Sequence, residues 1–480
     1  MKRRTKIVAT LGPASDKKEA IEGLITAGVN VFRLNFSHGD ADQHRQRARQ
    51  IRQLATHLKT PIGILCDMQG PKVRIGRFAD EQGIVLAEND EFRLDSATDP
   101  AAGDEHSVFI ERGYLNDFAV GDRVLLDDGR IVLEIAAKTT SALICRTLTG
   151  GILSSHKGIN KFGGGLSAKA LTDKDRRDIK TAADLGCDYL AVSFVRCASD
   201  IEESRALLTE AGSSAHIIAK IERAEAIGKV ALDGIIAAAD GIMVARGDLG
   251  VEIGDANLVA VQKHLIETSN SANKVVITAT QMMESMIKSP IPTRAEVFDV
   301  ANAVLDGTDA VMLSAETAVG DYPIETVEAM TRIIEGAERH PLAQRSKHRI
   351  DETFQRIDES VAMAAMYVAN HLESIAAIVC LTETGFTPRL MSRINSSIPI
   401  YAMAQKAGTS EITTLYKGVN PINFDSKHLA PSEVNEQIID TLRDHGALVD
   451  SDLVLITKGD ITNVGGCTNS LKIICVGAPL

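Results

Sequence analysis

Two charged residues close an apolar run near the middle of the chain, Ile217-Ile218-Ala219-Lys220-Ile221-Glu222. A run this rich in aliphatic and β-branched residues has the pattern of a strand buried on both faces. Residues i and i+2 of a strand share a face, so Lys220 and Glu222 point to the same interior side. Unpaired buried charge is costly. A buried salt bridge would satisfy both groups, and so would a bound metal and an anionic substrate. The polar residues that end the other apolar runs weigh between these readings.

Arg33, Asn35 and Ser37 end one such run, Asp67 another and Ser193 a third. Asp248 follows a fourth, Thr280 and Gln281 a fifth, and Ser314 and Glu316 a sixth. One polar residue after a strand means little, because loops are polar. A set of them on successive strands of a barrel converges on one rim, and that rim carries catalytic groups. Glu222 and Asp248 are the candidate ligands of a hard cation, since Mg²⁺ (or Mn²⁺) takes one or two carboxylates plus water and substrate oxygens. Arg33, Arg74, Lys157 and Lys220 supply positive charge. A metal held by carboxylates among fixed cations is equipment for phosphoryl transfer, which needs positioning and charge neutralisation and little covalent work. Gly247-Asp248-Leu249-Gly250 reads as the opening of a short helix whose free N–H groups would receive an anion such as a carboxylate. There is no Walker A sequence and no GxGxxG after a strand-like run. His38, in a glycine-bounded loop, is by default a loop histidine; a nucleotide contact is the functional alternative.

These groups need a frame. Eight short apolar runs begin near Lys6, Val29, Ile62, Tyr189, His216, Gly241, Lys274 and Asp309. Helix-like segments at 16–27, 40–57, 173–185, 200–211 and 256–270 follow most of them, and several open on an Asp suited to capping. Strand–helix alternation in eight units predicts a closed (β/α)8 TIM barrel in an α/β protein. Between the third and fourth runs, residues 70–167 read as an inserted small β-barrel lid domain. Asp127-Asp128-Gly129-Arg130 between two apolar runs is a hairpin signal, and Gly163-Gly164-Gly165 reads as a flexible return hinge. After a helix at 323–338 and a basic stretch at 340–349, strands near 377–382, 398–403, 419–424, 452–457 and 471–476 predict an open-sheet, Rossmann-like or flavodoxin-like α/β domain. The expected division is therefore 1–69 and 168–340 for the catalytic barrel, 70–167 for the lid and 341–480 for a C-terminal regulatory domain. The Ala- and Met-rich helix at 359–372 is either a core stripe or a subunit interface.

The net charge of −12 argues against nucleic-acid and acidic-membrane partners. No run approaches the roughly 20 apolar residues of a membrane span, and the stretch after the basic N-terminus is too short for a signal sequence. The seven cysteines include no CxxC pair, which fits reduced structural thiols in a cytoplasmic protein and no zinc site.

The motifs together resemble pyruvate kinase from end to end: RLNFSHG (33–39), DMQGPKVR (67–74), IIAKIERAEAI (217–227), MVARGDLGVEI (243–253), TATQMMESM (278–286) and PTRAEVFDVANAVLDGTDAVMLSAETA (292–318). Among bacterial members the chain is more similar to the type activated by AMP and sugar monophosphates. The resemblance implies phosphoryl transfer from phosphoenolpyruvate to ADP, giving pyruvate and ATP, the last step of glycolysis. It implies Mg²⁺ on Glu222 and Asp248, with Lys220 neutralising the phosphoryl group and enolate. Arg33 is expected on the phosphoryl group. Gly247, Asp248 and Thr280 are expected on the substrate carboxylate. Arg74 and Lys157, with Asn35 and His38, are expected at the nucleotide, and Asn35, Ser37 and Asp67 at a K⁺ site. It also implies a cytoplasmic homotetramer. The proton donor to the enolate is unassigned; Thr280 with a water chain is the candidate.

Two residues depart from the potassium-dependent pattern. Met68 stands where Thr is usual, and Lys72 where Glu is usual. The expectation is that the Lys72 ammonium replaces K⁺ and makes it dispensable. In the C-terminal domain, Thr382, Thr384, Gly385 and Thr387 form a strand-to-helix turn that reads either as a helix cap or as a phosphate cradle. The resemblance makes it an effector site for a phosphorylated metabolite, although Phe386 stands where relatives often have Arg or Lys. A Mg²⁺-dependent aldolase or lyase acting on pyruvate is the competing enzyme class, but it leaves the insert and the extra cations without a use. A non-catalytic metabolite sensor would not need Lys220, Glu222, Asp248 and Thr280 intact.

Overall fold

The computed structural model of the protein describes residues 3–344, 353–430, 432–459 and 468–478. Cys467 and part of the basic stretch at 340–349 lie outside the described residues. Eight parallel strands close into a barrel: Lys6–Thr10, Val31–Asn35, Gly63–Asp67, Tyr189–Val192, His216–Ile221, Gly241–Ala245, Val275–Ala279 and Ala310–Leu313. Each pairs with its neighbours in sequence, and the first also pairs with the eighth.

Alternation along the strands sorts their side chains. Ile217, Ala219 and Ile221 join the apolar layer between strands and helices. Ile218 fills the barrel interior with Val8, Val31, Leu65 and Tyr189. Lys220, two residues beyond Ile218, therefore also points inward, as Arg33 does beyond Val31 and Asp67 beyond Leu65. Each fully buried aliphatic side chain contributes about 1.5–3 kcal/mol. This apolar filling is what lets the C-terminal mouth of the barrel hold a layer of charge.

Helix starts differ in detail from the expected Asp caps. Asp40 does cap Ala41–His57, accepting from the Gln43 N–H at 2.9 Å in a reciprocal capping box. Asp173–Asp184 is capped instead by Thr172, one residue earlier, because Asp175 answers it from the N3 position. Ala198–Glu210 begins two residues before Asp200, whose carboxylate accepts from the Arg196 N–H at 3.0 Å.

The third strand leads into the insert at the C-terminal mouth. The insert is a curled six-stranded sheet, with Ile159–Lys161 and Ser107–Phe109 as its end strands, beside a two-stranded ribbon. Its hairpin joins Arg123–Leu126 to Ile131–Lys138 through a turn in which Asp127, Asp128 and Gly129 all have positive φ. The Gly163–Gly165 run is more constrained than a flexible hinge. All three residues have φ of 81–96°, Gly163 N–H donates to Glu252 O at 2.8 Å, and a Cβ on Gly164 would lie 2.3 Å from Glu225 Oε2.

At the opposite end of the barrel lies a five-stranded sheet. Its order is Val419–Asn423, Ile400–Ala404, Ile375–Thr382, Leu453–Lys458 and Ser470–Cys475, with only the last strand antiparallel. The barrel interior and the near side of this sheet share one apolar cluster that includes Tyr189, Leu415, Tyr416 and Val419, and the Tyr189 hydroxyl donates to Ile412 O. The helix Ile357–His371 buries Ala362, Ala365 and Met366 in that cluster and leaves Ile357 and Tyr367 exposed. Among the described residues no helix is long and apolar enough to cross a membrane.

Candidate active site

Lys220 is 9% exposed at the inner mouth of the barrel. Its Nζ lies 2.6 Å from Ser193 Oγ, 2.9 Å from Glu222 Oε1 and 3.1 Å from Asp67 Oδ1. Burial alone would push this ammonium down; Asp67 and Glu222 outweigh it and hold the group above the ordinary lysine value. Asp67 is also buried, which would raise its carboxyl, but Lys220 and Arg33 keep it below the usual carboxylate value. Arg33 Nε donates to Asp67 Oδ2 at 2.6 Å, and its Nη1 donates to Thr10 Oγ1 at 3.1 Å.

The direct 2.9 Å contact is the buried salt bridge that the sequence left open beside a bound metal and an anionic substrate. Without substrate, the buried lysine needs both carboxylates, so the salt bridge and the candidate catalytic group are the same pair. Asp67, expected in a monovalent-cation site with Asn35 and Ser37, spends its charge on Arg33 and Lys220. Asn35 Oδ1 accepts from the Ser37 N–H at 3.1 Å, and Ser37 and His38 are exposed.

Glu222 accepts from the Phe194 N–H at 2.7 Å. Burial raises its carboxyl; Lys220 opposes that rise and Asp248 adds to it. Two carboxylates that repel at an open mouth are a donor set suited to a hard divalent cation. Asp248 sits in the first turn of the helix Arg246–Ile253, directly after the sixth strand. It borders a cleft of ≈ 520 Å³ between barrel and insert, with Lys72, Asp128, Gly247, Phe162 and Gln281 among its walls. Lys72 Nζ stands 3.8 Å from Asp248 Oδ1 and 3.4 Å from Asp128 Oδ1 on the hairpin turn.

Gly247 N–H, expected to be open to a substrate carboxylate, donates to Thr280 Oγ1 at 2.8 Å, and that hydroxyl donates to Ala279 O at 2.7 Å. Thr280 and Gln281 both have positive φ, 66° and 54°, a conformation that costs side-chain-bearing residues energy and collects at functional sites. Arg246 holds this loop: its guanidinium donates to Ala279 O at 3.2 Å and Thr280 O at 2.6 Å and pairs with Asp299 at 2.7 Å. Sequence reading passed over Arg246 because it looked like the polar end of an apolar run. A charged residue directly before the Gly-Asp of a helix start was the available signal.

On the insert, Arg74 and Lys157 lie on adjoining chain segments, with an antiparallel bridge from Arg74 to Gly158. Arg74 is exposed and donates to His156 O at 2.9 Å, while Lys157 pairs with Asp127 at 2.7 Å. Glu252 was also missed. It is buried beneath the insert, its carboxyl is pushed up to about 7 by burial, and it accepts from Ala224 N–H at 2.8 Å and from Asn160 of the insert at 3.4 Å.

A closed parallel barrel with a charged mouth under a β-sheet insert defines a barrel enzyme. Residues 2–327 match the family description "Pyruvate kinase, barrel domain" and residues 359–474 match "Pyruvate kinase, alpha/beta domain". The chain is 51% identical over 476 residues to pyruvate kinase II of Salmonella typhimurium, covering 99% of both chains. It is 52% identical over 476 residues to a pyruvate kinase of Buchnera aphidicola, again covering 99% of each. The crystal structure of a pyruvate kinase from Cryptosporidium parvum superposes with a TM-score of 0.91 at 32% identity, covering 98% of this chain and 96% of that one. The chain belongs to the pyruvate kinase family and is a phosphotransferase of that family. Pyruvate kinases act on phosphoenolpyruvate and ADP and generally depend on Mg²⁺ and K⁺.

Proposed function

We propose that Lys220, Glu222, Asp248, Arg33 and Thr280 carry the transfer of the phosphoryl group of phosphoenolpyruvate to ADP. The observation behind this reading is the Lys220 ammonium, buried and held charged by Asp67 and Glu222 at the barrel mouth. A terminal phosphate oxygen of ADP attacks phosphorus as the bond to the enol oxygen breaks. Arg33 and Lys220 neutralise the charge spread over the phosphoryl oxygens, and Lys220 meets the enolate left behind. That enolate takes a proton at C3 to give pyruvate. Glu222 and Asp248 would hold Mg²⁺, which would supply further charge neutralisation. Gly247 N–H, Asp248 N–H and the Thr280 hydroxyl receive the substrate carboxylate, exchanging their internal hydrogen bond for it. Arg74 and Lys157 grip the nucleotide phosphates once Lys157 leaves Asp127, with Asn35 and His38 nearby. The assay is ADP-dependent release of pyruvate; a pyruvate lyase would show no need for ADP. The proposed domain boundaries fall at 69/70, 167/168 and 340/341.

The Lys72 ammonium, within 4 Å of Asp248 and of the hairpin turn, supplies the monovalent charge in place of K⁺. The rate in K⁺-free choline buffer is therefore expected to change little on adding KCl. A large rise would show that Asn35, Ser37 and Asp67 still need an ion.

The turn at Thr382–Thr387 is the effector site for a phosphorylated metabolite. Thr384 is exposed there, and Gly385 has φ of 77° with its N–H donating to Thr382 Oγ1 at 3.0 Å. The Arg389 guanidinium lies 5.1 Å from the Phe386 ring and brings positive charge to a turn that lacks its own, whereas Arg356, 4.7 Å from the same ring, is paired with Asp358 at 2.7 Å. Thr384→Ala with Thr387→Ala should abolish activation by AMP and ribose 5-phosphate and leave the unactivated rate intact. Activation that survives in this variant assigns the effector to another place. A homotetramer remains the expected assembly.

A further inference from the structure

Behind the barrel, where its first and eighth strands meet the C-terminal domain, four charged side chains crowd around Lys417. Arg4 and Arg393 repel its proton, and Glu338 and Asp309 attract it. All five groups are buried. Both carboxylates are already occupied by other donors. Asp309 takes the two terminal nitrogens of Arg393 and the N–H groups of Val276 and Lys417. Glu338 takes the Arg4 N–H at 2.9 Å, the Thr5 N–H at 2.6 Å and the Thr5 hydroxyl at 2.8 Å.

The Lys417 ammonium is left with little. The side chain is 6% exposed, and its hydrogen bond is a 3.5 Å contact to Val304 O, at the limit of what counts as one. An ammonium has three donors, and a buried charge without partners is costly. Three cations face two carboxylates here, so the joint carries a surplus of positive charge. Burial first, then Arg4 and Arg393, push Lys417 down to about 8 against the pull of Glu338 and Asp309.

Lys417 also lines a cavity of ≈ 360 Å³ that opens between two barrel helices and the C-terminal domain, a size within the range of small-molecule sites. Arg393, Asn270 and Asn395 share this wall. Glu267 stands exposed at the rim and makes no ion pair with Lys417, and Lys263 is paired with Asp306. We propose that this cavity binds a small oxyanion, a carboxylate or a phosphate group, on the ammonium of Lys417. The site is separate from the barrel mouth and from the Thr382–Thr387 turn. Because the wall joins Asn270 and Asp306 of the barrel to Arg393 and Lys417 of the C-terminal domain, an occupant would bridge the two.

The test is calorimetric titration of the full-length protein with inorganic phosphate in one arm and malonate in the other. One binding event should weaken at least about tenfold in Lys417→Met, the effect of losing one charged hydrogen-bond donor. It should persist in Lys417→Arg and in the Thr384→Ala, Thr387→Ala variant, and the unactivated kcat of the two Lys417 variants should stay at the wild-type value. Loss in the phosphate arm alone identifies a phosphate ligand, and loss in the malonate arm alone a carboxylate. Equal affinities of wild type and Lys417→Met for both anions would overturn the proposal. A measurement on the unaltered chain guards against misfolded variants. Acetylation of Lys417 by acetic anhydride, read by peptide mass spectrometry, should slow when phosphate or malonate is present, and an unchanged rate with both also overturns it.

Discussion

Lys220→Met should lower kcat by at least about 10²–10³-fold, the cost of removing one preorganised charge from a transition state. Met matches the length of the lysine stem, so the apolar packing above Ile218 survives and the ammonium is what disappears. Its loss has a structural side. Asp67 keeps Arg33 at 2.6 Å, but Glu222 keeps only the Phe194 N–H at 2.7 Å and becomes easier to protonate. Breaking a buried pair of this kind costs up to about 3–5 kcal/mol, so thermal unfolding must be followed beside the kinetics. A folded Lys220→Met enzyme with full kcat would remove the lysine from the chemistry. The phosphoenolpyruvate KM separates the roles further: an interaction made only in the transition state lowers kcat and kcat/KM together.

Glu222→Gln carries the second large effect. The substitution keeps the shape of the side chain and the hydrogen bond from Phe194, but removes one of the two carboxylates that repel each other at the mouth. Asp248 would then be the remaining charged group of the proposed metal site. Affinity for Mn²⁺, titrated by electron paramagnetic resonance, should fall at least about tenfold, since even an outer partner of a metal ligand is worth 10–100-fold. The rate at saturating substrate should fall with it and recover in part at high Mg²⁺. Unchanged Mn²⁺ affinity would mean that Glu222 serves only as the partner of Lys220, which the 2.9 Å ion pair alone would also allow.

Local pattern carried the frame well. The eight apolar runs become the eight barrel strands within two residues at each start, because a parallel strand buried on both faces stays apolar until its C-terminal end reaches the charged mouth. The hairpin at Asp127–Arg130 forms where its positive-φ turn residues require it. The site was legible only as a set of types. That Lys220 touches Asp67 depends on strands far apart in sequence and on the stagger of the barrel, neither of which leaves a local trace. The Phe194 N–H on Glu222 is a backbone group and has no signature in sequence. Arg246 leaves no local trace because its partners, among them Ala279 O, Thr280 O and Asp299, lie on other segments. The charged joint behind the barrel is the extreme case: Arg4, Asp309, Glu338, Arg393 and Lys417 come from five separate stretches, and each alone reads as surface polarity until the fold buries it.

The most direct measurement is the initial rate of pyruvate formation from phosphoenolpyruvate, coupled to lactate dehydrogenase, with ADP and Mg²⁺ withheld in turn. Pyruvate that forms only when both are present, in step with ATP, is the predicted result. Pyruvate released without ADP, or at an undiminished rate after the divalent metal is chelated, would contradict phosphoryl transfer at the Lys220–Glu222–Asp248 mouth.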